Sequence, residues 1–213
     1  MYVFNIHMYS NNIQFTKLEL RLVTFVFKHF NSKYNARQLA KMLHVNHAHV
    51  GKLCKVLVSK LLFVKEELGN AVYFSYNYNS KVAVNFMEYL LAMEENIFPP
   101  NLGVLLHIFS KFRGYIDIGL LFGSSIKSKN FSDVDVLLVY TPLRAKEVRK
   151  IKDSIRNSHL FEQPIRYVDV TSKDMVLNRK DSVFYNIITE NLIFYGSKEY
   201  VEVLLQCRKS IIT

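Results

Sequence analysis

Two aspartates one residue apart, Asp133 and Asp135, constrain this chain more than any other feature. They open an apolar run, Val134 to Tyr140, and a small-residue turn, Gly123-Ser124-Ser125, stands ahead of them behind a second apolar run. Successive side chains of a strand alternate faces, so both carboxylates point the same way, one pleat apart. Two carboxylates on one face repel each other and lose hydration, so something must offset that cost. Magnesium does, since hard oxygen ligands suit it and substrate phosphates complete its shell. The turn supplies the other half of such a site. Gly123 lets the backbone approach a ligand, and consecutive N–H groups of a tight turn form an anion-binding concavity. Ser124 and Ser125 add hydroxyl donors. These residue types together point to nucleotide chemistry.

A third carboxylate, Asp169, lies in the run Gln163 to Val170. An unpaired charge in that apolar context is costly. Asp169 is expected at the end of a neighbouring strand, joining Asp133 and Asp135; the alternative is an ion pair with a basic residue such as Arg166. Lys127 and Lys129 bring positive charge to the loop after the turn, with a solvated loop lysine as the alternative reading.

At 213 residues the chain suffices for one ordinary domain or two small ones. Half of it is hydrophobic and 22% is charged, the balance of a globular protein. No run approaches the ~20 apolar residues of a membrane span, so no membrane partner is expected. The start, Met1 to His7, lacks the basic and apolar regions of a signal peptide. Cys54 and Cys207 are too few and too scattered for a disulfide frame or a zinc site. A reduced, cytoplasmic setting fits these features. The formal charge of +10 invites a polyanionic partner, although lysine-rich surfaces also arise for solubility.

Periodicity predicts a helix from about Thr16 to Phe30, a second over Ala36 to Leu43 capped by Asn35, and a third over His47 to Leu62. Two strands, Phe63 to Leu68 and Ala71 to Tyr76, meet at Gly69-Asn70 as a hairpin. Asn79 to Asn96 reads as a connecting helix. Its Val82, Val84, Phe86, Tyr89 and Leu90 exceed one buried stripe and point to a homodimer contact. Pro99-Pro100-Asn101 breaks the chain and marks the domain boundary. Beyond it, helices are expected at Leu102 to Phe112, Lys146 to Asn157, Ser182 to Glu190 and Lys198 to Lys209. Strands are expected at Tyr115 to Phe122, Val134 to Tyr140 and Ile165 to Thr171. The fold class is therefore α+β, divided into residues 1–78, a connecting helix over 79–98, and an α/β domain with a small mixed sheet over 99–213.

Three helices followed by a hairpin resemble a winged helix-turn-helix module. That resemblance implies double-stranded DNA as partner, with the third helix in the major groove. His47, His49, Lys52 and Lys55 fall on the face left free by its apolar stripe, and Lys65 lies on the hairpin. Residues 1–77 hold ten Lys or Arg against three Glu, so 10 − 3 = +7 of the charge lies here. Contacts between protein chains are the alternative use of such a module.

The stretch from Phe122 to Asp135 resembles the signature of the DNA-polymerase-β-like nucleotidyltransferase superfamily: an apolar residue, Gly-Ser, a loop, then Asp-apolar-Asp closing into a strand. It is most similar to the minimal nucleotidyltransferases, whose motif commonly includes the Ser-Asp-x-Asp found here as Ser132 to Asp135. Ile126-Lys127-Ser128 replaces the Ala-Arg-Gly often found in the loop. Asn191 to Ser197 resembles the closing strand and turn of that branch, so the likeness covers about residues 100–206. It implies transfer of a nucleoside monophosphate from an NTP to an acceptor hydroxyl, on protein or RNA, with release of pyrophosphate. Asp133, Asp135 and Asp169 would be the catalytic ligands of two Mg2+ ions. Gly123, Ser124, Ser125, Lys127 and Ser132 would bind the nucleotide. Two other functions are compatible with the resemblance. One is a transcriptional regulator whose nucleotidyltransferase domain senses nucleotide or is inert; the other is an antitoxin-like partner of a separate toxin chain, as in toxin-antitoxin pairs.

Overall fold

The computed structural model describes residues 14–96, 102–158 and 161–212. Helices and two small sheets make it a mixed α+β protein that divides into two compact units, Met1–Val84 and Asn85–Thr213. The expected break at Pro99-Pro100-Asn101 lies outside the described residues. Among those residues no helix is long and apolar enough to cross a membrane.

In the first unit, α1 (Lys17–Lys28) begins at Thr16, whose hydroxyl accepts from Glu19 N while the Glu19 carboxylate accepts from Thr16 N. This reciprocal box satisfies two of the donors that a helix start leaves orphaned. Asn35 and Gln38 repeat the device ahead of α2 (Ala36–Leu43). The Asn46 side chain accepts from Ala48 N and His49 N to start α3 (His47–Ser59). α3 buries Val50, Cys54 and Leu57 along one stripe, and Leu22, Val26, Phe27 and Leu39 are buried in the same unit. β2 (Phe63–Leu68) and β3 (Ala71–Tyr76) pair antiparallel through the two-residue turn, where Gly69 takes the positive φ of 58° that such a turn demands. A two-residue strand, β1 (Tyr34–Asn35), pairs with β3 from the other side.

α4 (Lys81–Glu94) buries Ala83, Met87 and Leu91 and leaves Val82, Tyr89 and Met93 exposed. In the second unit, α5 (Gly103–Phe109) runs into a 3-10 turn and leads to β4 (Ile118–Phe122). A 3-10 turn over Gly123–Ile126 then precedes β5 (Val134–Val139). α6 (Ala145–Asn157) crosses over to β6 (Ile165–Val170), as parallel neighbours require. α7 (Ser172–Leu177), α8 (Ser182–Thr189), β7 (Asn191–Tyr195) and α9 (Ser197–Ile212) close the unit. The sheet order is β6-β5-β4-β7, with β4 antiparallel to both neighbours. Leu121, Val136, Leu138 and Phe194 on one sheet face join Phe109, Phe112 and Val148 in a core cluster. Leu120, Leu137 and Ile193, on the alternate pleats, are buried on the opposite face, where α9 packs on β4.

Candidate ligand site

The antiparallel register of β4 and β5 sets Phe122 opposite Asp135, so the turn leaving β4 wraps directly over the aspartates. Gly123 has φ = 76°, a left-handed conformation that glycine adopts without penalty. A Cβ there would stand 2.4 Å from Asp135 Oδ2, so the turn also needs the missing side chain. Ser124 is exposed, with its Oγ 3.5 Å from Asp133 Oδ1. Asp133 and Asp135 therefore do share one corner with the Gly-Ser turn. Burial, then the charge of Asp133, push the Asp135 carboxyl above its ordinary range, and Arg166 opposes that shift.

The other expected members are placed differently. Ser125 is buried, and its hydroxyl donates inward to Phe122 O at 3.2 Å, so it offers the ligand no side-chain donor. Lys127 reaches across to Glu190, with Nζ 2.5 Å from Oε2. Lys129 and Ser132 are exposed in the loop.

Asp169 is not brought to the corner. The parallel register sets Asp135 beside Arg166 and Leu138 beside Asp169. Laterally paired residues share a sheet face, and Asp135 and Leu138 are an odd number of residues apart. Asp169 therefore belongs to the face opposite Asp133 and Asp135, and three residues further along the sheet. There it holds Lys152, whose Nζ lies 2.5 Å from both carboxylate oxygens and 4.7 Å from the Tyr167 ring centroid. The ion-pair alternative is the one realised, with Lys152 in place of Arg166. Arg166 itself turns to Asp133, Nη1 to Oδ2 at 2.9 Å. Period-two alternation already separates Arg166 from Asp169; what the sequence lacks is the register that decides which of them stands beside Asp135.

Asp169, on the other sheet face, leaves Asp133 and Asp135 as the carboxylates of this corner, with Arg166 against Asp133. Among the described residues no group of three or more His, Cys, Asp or Glu side chains is placed to hold a metal. Asp133, Asp135 and Arg166 together carry two negative charges and one positive.

In the first unit a groove runs between α3 and the hairpin, lined by Arg37, His47, Lys55, Lys65 and Glu67 among others. His47, Gly51 and Lys55 recur at helical spacing along its wall. All five basic residues picked from sequence are exposed, but His49 and Lys52 do not line this groove, and Lys65 is paired with Glu67 at 3.5 Å. Arg37, in the first turn of α2, is the groove residue that the apolar pattern of α3 could not reveal.

Comparison with known proteins finds no matching family model, no matching curated protein and no matching solved structure.

Proposed function

We propose that the chain is a nucleotide-responsive DNA-binding regulator. In this reading a nucleoside triphosphate binds at the corner of Gly123, Ser124, Asp133 and Asp135. Duplex DNA binds the first unit, taken as a winged helix-turn-helix module, along α3 and the hairpin. The observation that carries the reading is the lateral pairing of Asp135 with Arg166. It sets a guanidinium where the transfer reaction implied by the resemblance needs a third carboxylate. In-line phosphoryl transfer depends on neutralising and positioning both the entering and the leaving oxygen. Asp169, committed to Lys152 on the other sheet face, does not position an attacking hydroxyl at this corner. What remains is a set of groups suited to binding: a glycine turn, an exposed serine and two carboxylates with their own cation. The excess positive charge of residues 1–77 and the basic groove support a polyanion as the second ligand.

Calorimetric titration of the full chain with ATP, CTP, GTP and UTP in magnesium buffer should reveal binding of at least one. Incubation of the chain and a cell lysate with the α-phosphate-labelled nucleotide should leave protein and RNA unlabelled. Label appearing on an acceptor, and lost in Asp133→Asn, would overturn the regulator reading in favour of an enzyme. Absence of binding by every nucleotide would overturn both.

A further inference from the structure

Arg166 lies against Asp133 at this corner. We infer that Arg166 is a resident cation that stands in for a divalent ion, neutralising Asp133 and holding metal affinity down. The inference rests on the reading of this corner as the ligand site. Both oxygens of Asp133 are engaged, Oδ2 with Arg166 Nη1 at 2.9 Å and Oδ1 facing Ser124 Oγ at 3.5 Å. The Asp133 side chain is 13% exposed, so this engagement occupies most of its surroundings. Arg166 is 70% exposed and needs no core packing to hold it, so it can be changed without opening a cavity. A guanidinium stays charged at every accessible pH, which makes it a permanent occupant rather than a conditional one.

A divalent ion approaching Asp133 must displace Arg166 or accept its repulsion. A single positive charge about 5 Å from a doubly charged ion, even in water-like surroundings, lowers affinity by roughly tenfold or more. Without Arg166 the same corner presents two carboxylates on one face, and an aspartate at position 166 would add a third across the strand pair.

The test is a titration of the nucleotide-free full chain with Mn2+, followed by the paramagnetic resonance of the free ion. Arg166→Gln and Arg166→Met should bind Mn2+ about tenfold or more tightly than the wild type. Arg166→Asp should bind more tightly still, and Arg166→Lys should stay close to the wild type. Asp169→Asn should leave Mn2+ affinity unchanged. Circular dichroism establishes that each variant is folded, and having two uncharged variants guards against one that is not. A flat series, whether every protein binds or none does, overturns the inference. Nucleotide calorimetry fails or succeeds independently of this series, so loss of the nucleotide reading is told apart from loss of the role of Arg166.

Discussion

Replacing Gly123 by alanine separates two costs that the structure predicts at one residue. The first is backbone strain: φ = 76° is left-handed, and an L-residue there loses about 1–2 kcal/mol. The second is a collision, because the new Cβ would lie 2.4 Å from Asp135 Oδ2 and 3.3 Å from its Cγ. The carboxylate is the mobile end of its side chain and can swing away, so the collision costs about 1 kcal/mol, the low end of overpacking. Gly69 provides the strain alone, since its φ is 58° and nothing lies within 4 Å of its Cβ position. In an Asp135→Ala background the two closest of these atoms are gone, and the Cβ of residue 135 stands at 3.5 Å, an ordinary contact. Gly123→Ala should therefore be about 1 kcal/mol cheaper there than in the wild type, beyond the ~0.3–0.5 kcal/mol within which independent sites add. The chain has no Trp and 13 Tyr, so urea unfolding is best followed by far-ultraviolet circular dichroism with tyrosine fluorescence. Additive costs in this cycle, or a Gly123→Ala change milder than Gly69→Ala, would refute the close packing of turn against carboxylate.

Three further outcomes follow from the same geometry. The Asp135 carboxyl is raised by burial first and by Asp133 second, so its ionised form costs stability above the raised value and nothing below the ordinary carboxylate range. Asp135→Asn should accordingly raise the urea midpoint at neutral pH and lose that advantage as the pH falls through the acid range; a gain that survives in acid contradicts the assignment. Asp169→Asn deprives the mostly buried Lys152 of its partner and should lower stability by about 1 kcal/mol while nucleotide affinity is unchanged; loss of nucleotide binding would return Asp169 to the site. Arg37→Ala and Lys55→Ala should each weaken duplex DNA binding and flatten its salt dependence by about one unit of slope, more than Lys52→Ala does, as judged by anisotropy across a salt series.

Local chemistry made most of the helices and strands legible. Asn35 announced α2 and Gly69-Asn70 announced the hairpin, because a cap or tight turn is decided by a few adjacent residues. β1, α7 and the 3-10 turns over Gly123–Ile126 and Pro142–Arg144 are too short for periodicity to signal. Half of the candidate site was also legible: the strand alternation that aligned Asp133 with Asp135 is local, and so is the turn beside them. The third position was not. Whether Arg166 or Asp169 stands beside Asp135 depends on the register of two strands joined by a whole helix, and a slip of one residue exchanges the faces. The direction of the Ser125 hydroxyl was not legible for a related reason: in a 3-10 turn adjacent side chains diverge, so Ser124 is exposed while Ser125 is buried and donates to Phe122 O.

Nucleotide and DNA binding are coupled in the proposed regulator, so the affinity of the full chain for a labelled duplex should be measured by anisotropy with and without saturating nucleotide at fixed salt. Nucleotide should shift the DNA affinity of the wild type, and Asp133→Ala should abolish the shift while leaving nucleotide-free DNA binding intact. A DNA affinity that does not respond to any nucleotide that calorimetry shows to bind would contradict this coupling.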